Sequence, residues 1–536
     1  NNEMKFGKDL ENSKIDEFRH LYCDYNGLKK LIKTLETKDV DTTGLNSHSA
    51  ISMFNVPYHS IKTDDSGRTN NERVFIDAFE QEVIKVNGFF GTKYQEIETR
   101  LVGAYSRLAE VINQFKTAKR QKKDLSPDRS AQLVQAYWRE KYEAELACKS
   151  TVDLTQFCQQ NILAFKKIAK KYSKRVNPSS SNWLMRHVEK QHFFASDMDM
   201  LVMGISDVYR MVNWIETKRF DLISMYLNEE DIAIIQQNMI PNTNVKKSSG
   251  AWVPPESFKR KTEKYWVDPE VIVKVKVMLA KRIPILIFGK DQKKEDKKRM
   301  KNFGMRVRPL WMNMPPVTPN PAQSDKSVSS LISSVYYDNL SHEIYKERIN
   351  KEHGAILVRS RWYGQIEPTG QMFMERKIHR DSAISEEESV KERFEIPRAQ
   401  LPQYAKGEWR MEDIHYELEK KMSASKLESM YNLASEIQDA ITQRDMRPTV
   451  RTTYLRTAFQ DQASNEFRAT MDTHLIITKE DQSTSQRYSS FDSKNTSDVH
   501  MFPRAILELK YGFDSETDPP SWITELIEME GVKKCQ

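Results

Sequence analysis

At 536 residues with a net charge of +7 and 38% hydrophobic residues, the chain is too long for one core and polar enough (mean hydropathy −0.69) for two or three ordinary domains in water. Glycine is scarce at 17, and neither GxGxxG nor GxxxxGK followed by Ser or Thr occurs, which argues against dinucleotide-binding and P-loop architectures. The four cysteines (Cys23, Cys148, Cys158, Cys535) contain no CxxC pair, so neither a disulfide framework nor a zinc site is expected, and a reducing compartment is.

No run approaches the roughly 18 apolar residues of a membrane span, and the opening "NNEMKFGKDL" does not read as a signal peptide, so a soluble, cytosolic chain is expected. Basic residues cluster at "LKKLIK" (28–33), "KTAKRQKKD" (116–124), "FKKIAKKYSKR" (165–175) and "GKDQKKEDKKRMK" (289–301). Such clusters suit a polyanion, whether nucleic acid, membrane surface or free phosphates.

Up to about residue 228 the chain reads as helical. Phe75, Phe79, Val83, Val86 and Phe90, then Leu101, Tyr105, Leu108, Val111 and Ile112, recur at helical spacing and predict a long amphipathic helix broken near Gly88. A second long pattern runs from about Ser130 to Lys174, and "DLSPD" between them predicts an antiparallel hairpin. A polar stretch from "LETKDV" to "GRTNN" reads as a loop, and "SNWLMRHVEKQHFF" and "DMLVMGISDVYRMVNWIETKR" as further helices.

A Pro, Gly and Ser-rich stretch at about 239–258 marks a boundary. Beyond it the apolar period shortens from 3.6 to 2. "SVSSLISSVYYDN", "AILVRSRWYG", "MFMERKIHR", "SVKERFEI", "TVRTTYLRTAFQ", "FRATMDTHLIIT" and "PRAILELKYG" read as strands, with helices at "PEVIVKVKVMLAKRI" and "LESMYNLASEIQDAITQRD". The fold class is therefore α+β with a largely antiparallel sheet.

Residues two apart in a strand share a face. That puts Arg359 with Arg361; Phe373 with Glu375, Lys377 and His379; Arg468 with Thr470, Asp472 and His474; and Glu508 with Lys510. An open sheet with its polar side in water is the ordinary explanation. If the charged faces instead turn inward, they line a polar tunnel whose arginines and lysines call for a run of phosphates, with a carboxylate holding a divalent metal.

Family resemblance sharpens this. "MKFGKDL", "YCDYNGLKKLIK" and "FKKIAKKYSK" resemble an SPX domain. The region from "KTEKYWVDPE" onward resembles the triphosphate-tunnel polymerase domain of the vacuolar transporter chaperone (VTC) complex, with "RSRWYG", "MERKIHR", "VKERF", "YLRTAFQ" and "AILELK" in the family's order. The resemblance implies an SPX-type helical bundle over 1–228, a linker over 229–258, and an antiparallel β-barrel tunnel with surrounding helices over 259–536.

It further implies an ATP-polyphosphate phosphotransferase. Phosphate-binding residues fall on Lys264, Arg359, Arg361, Lys377, Lys391, Arg456 and Arg468, and a glutamate for Mn²⁺ or Mg²⁺ falls on Glu508. Placement of Lys264 rests on the resemblance alone. Glu375, Asp472, His379, Arg451 and Lys510 are weaker candidates, expected in cross-strand ion pairs.

For the SPX part, the family's inositol pyrophosphate site falls on Tyr25, Lys29, Lys167, Lys170, Lys171 and Lys174, with Ser173 where the family usually has Asp. The implied partners are ATP, polyphosphate, inositol pyrophosphates and other VTC subunits, without nucleic acid. The implied location is the cytosolic face of a vacuole or acidocalcisome membrane. A further lysine in a "KFSKF"-like segment and membrane helices are expected after "GVKKCQ". A non-catalytic sensor subunit with the same two domains, and a tunnel-type RNA triphosphatase, are the alternative readings.

Overall fold

The computed structural model describes residues 2–36, 70–121, 125–176, 181–196, 198–227, 229–230, 232, 261–286, 328–364, 370–380, 389–414, 418–419, 423–460, 467–480, 499–511 and 519–535. The expected loop after "LKKLIKT", the 239–258 boundary and the basic run 289–301 lie outside these residues.

The first half is a helical bundle of α1 (Asn2–Ser13), α2 (Tyr25–Glu36), α3 (Asn70–Gln121), α4 (Pro127–Arg175), α5 (Ser181–Glu189) and α6 (Asp199–Lys218). α3 and α4, of 52 and 49 residues, form the expected hairpin. Ser126 caps α4 by accepting from the Arg129 backbone N–H at 3.3 Å, and Pro127 takes the first turn, where no donor is lost. The expected break at Gly88 is absent: α3 runs through it, because Val86 and Phe90 on either side are buried in the bundle. Their packing outweighs the roughly 1 kcal/mol that glycine costs a helix.

The second half contains β1 (Lys261–Val267), α7 (Ile272–Arg282), β2 (Ile285–Leu286), β3 (Ser330–Asp338), α8 (Glu343–Ile349), β4 (Ile356–Tyr363), β5 (Gln371–Ile378) and β6 (Val390–Pro397). There follow α9 (Ala424–Gln443), β7 (Arg447–Gln460), β8 (Phe467–Lys479), β9 (Val499–Met501), β10 (Ala505–Tyr511), α10 (Ser521–Glu528) and β11 (Val532–Lys534). All strands pair antiparallel in one sheet, in the order β11-β1-β10-β8-β7-β3-β4-β5-β6, with β2 on β7 and β9 on β8.

Among the described residues no ladder joins the two ends of that order, so the barrel is a curled, unclosed sheet. The curl is deep. β1 and β5 stand six steps apart, roughly 29 Å along a flat sheet at ~4.8 Å per strand. Yet the charge on Lys377 of β5 feels Lys264 of β1 and Glu508 of β10, an interaction that screening largely removes beyond about 10 Å.

Helices cover the outer face, as alternation requires. Val358, Trp362, Met372, Met374, Phe394 and Ile396 are buried with Ile437 and Ile441 of α9. Leu507 and Leu509 join a larger core continuous with the bundle. α7 belongs by sequence to the second half but packs on α4 and α6. Its Lys276 donates to buried Asp199 at the start of α6, which also accepts from Ser329 Oγ at 2.5 Å; Ser329 in turn meets Thr457 of β7 at 2.8 Å. The two halves therefore share a core and a buried polar bridge.

One face assignment changes. The β7–β8 register shifts between Thr453 and Leu455, and His474 sits there with φ +53°. This bulge takes His474 out of the alternation that Arg468, Thr470 and Asp472 follow.

Candidate functional site: a cationic tunnel face

Ladder register alone gathers the tunnel residues. Starting at β1, Lys264 pairs with Glu508, Glu508 with Thr470, Asp472 with Arg456, Arg456 with Ser330, Ser334 with Arg361, Arg359 with Glu375, and Lys377 with Lys391. Directly opposed residues project to the same side. Lys264, Arg359, Arg361, Lys377, Lys391, Arg456, Arg468 and Glu508 therefore all lie on one continuous face, the concave one. Lys264, which the resemblance alone had placed, is fixed there by its position opposite Glu508, their charged atoms 4.0 Å apart.

Glu375 is the hub. Its side chain is 0% exposed, and Arg359 grips Oε2 through Nε at 2.7 Å and Nη2 at 2.5 Å. Arg361 lies 3.9 Å from the same oxygen, while Lys391 and Arg393 approach Oε1 at 3.4 and 3.9 Å. Burial alone would raise the Glu375 pKa, but Arg359, Arg361 and Lys391 outweigh it and hold it below the ordinary carboxylate range. Lys391 and Arg393 are each about half exposed, so both lie at the solvent side of the buried carboxylate.

Neutral hydroxyls complete the arginine shells. Arg359 donates to Tyr336 OH at 3.1 Å, and Arg361 to Ser334 Oγ at 2.9 Å and Tyr454 OH at 3.2 Å. Arg456 makes a two-pronged pair with Asp472, both bonds 2.6 Å. Burial works against its charge, but Asp472 raises its pKa above the ordinary value. Arg468 is half-buried on β8, opposite Lys510 and Gln460.

Glu508 lies 2.8 Å from Lys510. Burial opposes its ionisation, yet Lys510, Lys264 and Arg456 depress its pKa, leaving an ionised oxygen donor on the tunnel face. Lys377 is the reverse case. Burial, then Arg359, Lys391 and Lys264, lower its pKa to about 8. Nine named cations (the seven expected plus Arg393 and Lys510) against Glu375, Glu395, Asp472 and Glu508 leave five positive charges uncompensated.

Arg393, Tyr336 and Tyr454 were not singled out from sequence. The signal existed for Arg393, two residues after Lys391 on the same face. Arg451 does not join the tunnel: it pairs with Glu480 and lies over the outward-facing Trp362 ring. Among the described residues no cluster of three or more His, Cys, Asp or Glu is arranged to hold a metal ion. A cation bound by Glu508 would need most of its oxygen shell from phosphates and water, which suits Mg²⁺ or Mn²⁺.

In the bundle, Phe6 brings three elements together: its ring lies edge-on to Tyr25 of α2 at 5.1 Å and under Lys167 of α4 at 5.4 Å. Lys167, Lys170 and Lys174 are exposed and Lys29 is half-buried. Lys171, expected on the same open stripe, is only 6% exposed, and Lys166 turns to the Phe194 ring.

The structure is thus a curled antiparallel sheet with a cationic, carboxylate-pinned concave face, joined to a helical bundle. The chain belongs to the VTC domain family, whose match covers residues 259–536; an SPX domain match covers residues 4–67. It is 27% identical over 544 residues to vacuolar transporter chaperone complex subunit 4 of Schizosaccharomyces pombe, covering 98% of this chain and 61% of that protein. Subunit 4 of Trypanosoma cruzi is 30% identical over 55% of this chain and 35% of its own length. Subunit 2 of Saccharomyces cerevisiae is 24% identical over 89% of this chain and 52% of its length. The chain thus spans between 35% and 61% of the length of these relatives. A solved SPX domain of Chaetomium thermophilum glycerophosphodiester phosphodiesterase 1, in complex with inositol hexakisphosphate, aligns with TM-score 0.25 at 20% identity over 39% of this chain and 97% of its own.

Proposed function

We propose that the chain is a polyphosphate polymerase that transfers the γ-phosphoryl group of ATP to the end of a growing polyphosphate, under control of inositol pyrophosphates bound to the helical bundle. The observation carrying this reading is that all eight expected tunnel residues lie on one concave face with a large surplus of positive charge.

In the transfer, a terminal polyphosphate oxygen attacks the γ-phosphorus, the bond to the β-phosphate oxygen breaks, and ADP leaves with that electron pair. Such a step asks the protein for alignment and charge neutralisation, not covalent chemistry. Arg359, Arg361, Lys264, Arg456 and Arg468 hold the triphosphate and screen its charge from the incoming chain, while Lys377 and Lys391 line the path of the product. Tyr336, Ser334, Tyr454 and Asp472 keep the guanidinium groups aimed before substrate arrives, so little ordering cost falls on the reaction. Glu508 is the residue that would hold Mn²⁺ or Mg²⁺, which supplies further neutralisation of phosphate oxygens.

The bundle's exposed Lys167, Lys170 and Lys174, with half-buried Lys29, present donors for a compact polyphosphorylated ring, whereas Tyr25, expected among them, is only 4% exposed and packs against Phe6. The relatives' names support a place at a vacuole in a complex with other subunits, and attachment to its membrane is part of this proposal; among the described residues no helix is long and apolar enough to cross a membrane.

Similarity to subunit 2 as well as subunit 4 favours one other reading, a regulatory subunit without catalysis. The full-length protein with ATP and Mn²⁺ decides between them. Chain-length ladders on a denaturing gel with stoichiometric ADP, lost in Arg359→Ala and Glu508→Gln, support the polymerase; inositol polyphosphate binding without ladders supports the regulatory subunit.

A further inference from the structure

The basic run that closes α3 belongs neither to the tunnel nor to the lysine stripe of α4. It lies at the tip of the α3–α4 hairpin, roughly 60 Å along α4 from Lys170 at about 1.5 Å per residue. Three helix ends meet there. Lys119 and Arg120 end α3, Arg129 stands in the first turn of α4 and Lys218 ends α6; all four are exposed. Lys116 lies over the Trp214 ring of α6 at 5.3 Å, and Arg219 over the Phe115 ring of α3 at 5.0 Å. Just beyond, the turns Phe220–Ile223 and Ser224–Tyr226 are anchored by fully buried Ile223, yet leave Met225 73% and Tyr226 48% exposed.

Helix dipoles favour cations at the ends of α3 and α6, which accounts for Lys119, Arg120 and Lys218. They do not account for Arg129, which stands at a helix N-terminus and donates to the neutral amides of Gln114 and Gln132. Nor do they account for Lys116, whose pKa is lowered by burial and then by Arg120. Among the described residues the nearest exposed acids in the chain are Glu110, Asp128, Asp221, Glu229 and Glu230, and Arg219 engages Asp221 at 3.4 Å. Buried Glu216 accepts from Tyr137 and Lys141 instead.

We propose that this hairpin tip docks on an anionic lipid bilayer, with Lys119, Arg120, Arg129 and Lys218 among the headgroups and Met225 and Tyr226 entering the boundary beneath them. Clusters of four or more Lys and Arg are drawn to such surfaces. Tyrosine favours headgroup depth, and an exposed methionine gains from acyl carbon. Neither a nucleic-acid backbone nor a free phosphate chain offers Met225 any apolar contact, and that side chain decides for the bilayer. Lys170 and Lys174, far along α4, stay outside the contact. The docking surface is independent of whether the tunnel catalyses.

The test sediments the 536-residue chain with vesicles of phosphatidylcholine alone or of a three-to-one mixture with phosphatidylserine. Wild type should bind the mixed vesicles, more weakly as salt rises, and the neutral ones little. Lys119→Glu with Arg120→Glu should weaken that binding by roughly tenfold or more at an unchanged melting temperature. Met225→Ser should weaken it several-fold while keeping the salt dependence, since it removes apolar area and no charge. Lys170→Ala should leave it unchanged. Equal binding to both vesicle types, no binding to either, or full retention in the charge-reversed variant would overturn the docking surface. Capture of duplex DNA that is lost in that variant, without vesicle binding, would overturn it in favour of a nucleic-acid contact.

Discussion

Arg359 and Glu375 face each other across the β4–β5 ladder, and the carboxylate between them and three further cations is wholly buried. Removing that carboxylate leaves Arg359, Arg361, Lys391 and Arg393 repelling one another in a partly dry cavity. Glu375→Gln should therefore destabilise the protein by about 3–5 kcal/mol, the usual effect of breaking a buried pair. Added tripolyphosphate should recover more of the variant's melting temperature than it adds to the wild type. A loss that tripolyphosphate leaves untouched would mean that Glu375 packs the wall without balancing tunnel charge.

Lys377 supplies a pH signature. Its free pKa of about 8 rises when a polyanion arrives, so affinity gained from its charge is fully present below about pH 8 and fades as pH climbs through the bound-state value. Binding near pH 8.5 should take up at most about three quarters of a proton, because the free group is already about a quarter protonated there, read by titrating tripolyphosphate in buffers of different ionisation enthalpy. Lys377→Met should abolish most of the uptake. In the ligand-free protein the sign reverses: the folded state binds fewer protons than the unfolded chain above pH 8, so this group makes stability rise with pH there.

The buried bridge between Asp199 and Lys276 ties bundle to tunnel. Lys276→Met alone strands a carboxylate in the shared core and should cost about 3–5 kcal/mol, whereas the double variant Asp199→Leu with Lys276→Met should recover much of it. Because the core is continuous, calorimetry should give one unfolding transition. Two well-separated transitions would contradict the shared core.

On α4 the lysines divide by exposure. Lys170→Ala and Lys174→Ala should each weaken inositol hexakisphosphate binding several-fold, with a shallower salt dependence and an unchanged melting temperature. Lys171→Ala should lower the melting temperature, since that side chain is only 6% exposed. Identical behaviour of all three would argue against this division.

Alternation made most of the tunnel legible before any coordinates: Arg359 with Arg361, Glu375 with Lys377, and Arg468 with Asp472 had to share faces, because side chains in a strand repeat every two residues. Short β11 and β9 carried too few residues for a period to register, and β1 follows directly on a boundary where the pattern had not yet settled. Gly88 looked like a break because propensity is local, while the burial of Val86 and Phe90 is not.

What the chain determined by itself was which residues travel together: the apolar stripes of α3 and α4, the paired charges on each strand, and the caps between them. Which way those charges turn was left to tertiary structure. Only curling brings Lys264 near Lys377 across six strands, only the β7–β8 bulge removes His474 from the lumen, and only packing draws α7 into the bundle's core. Periodicity is a property of neighbours along a chain, whereas enclosure, a lowered lysine pKa and a buried bridge arise from groups far apart in it.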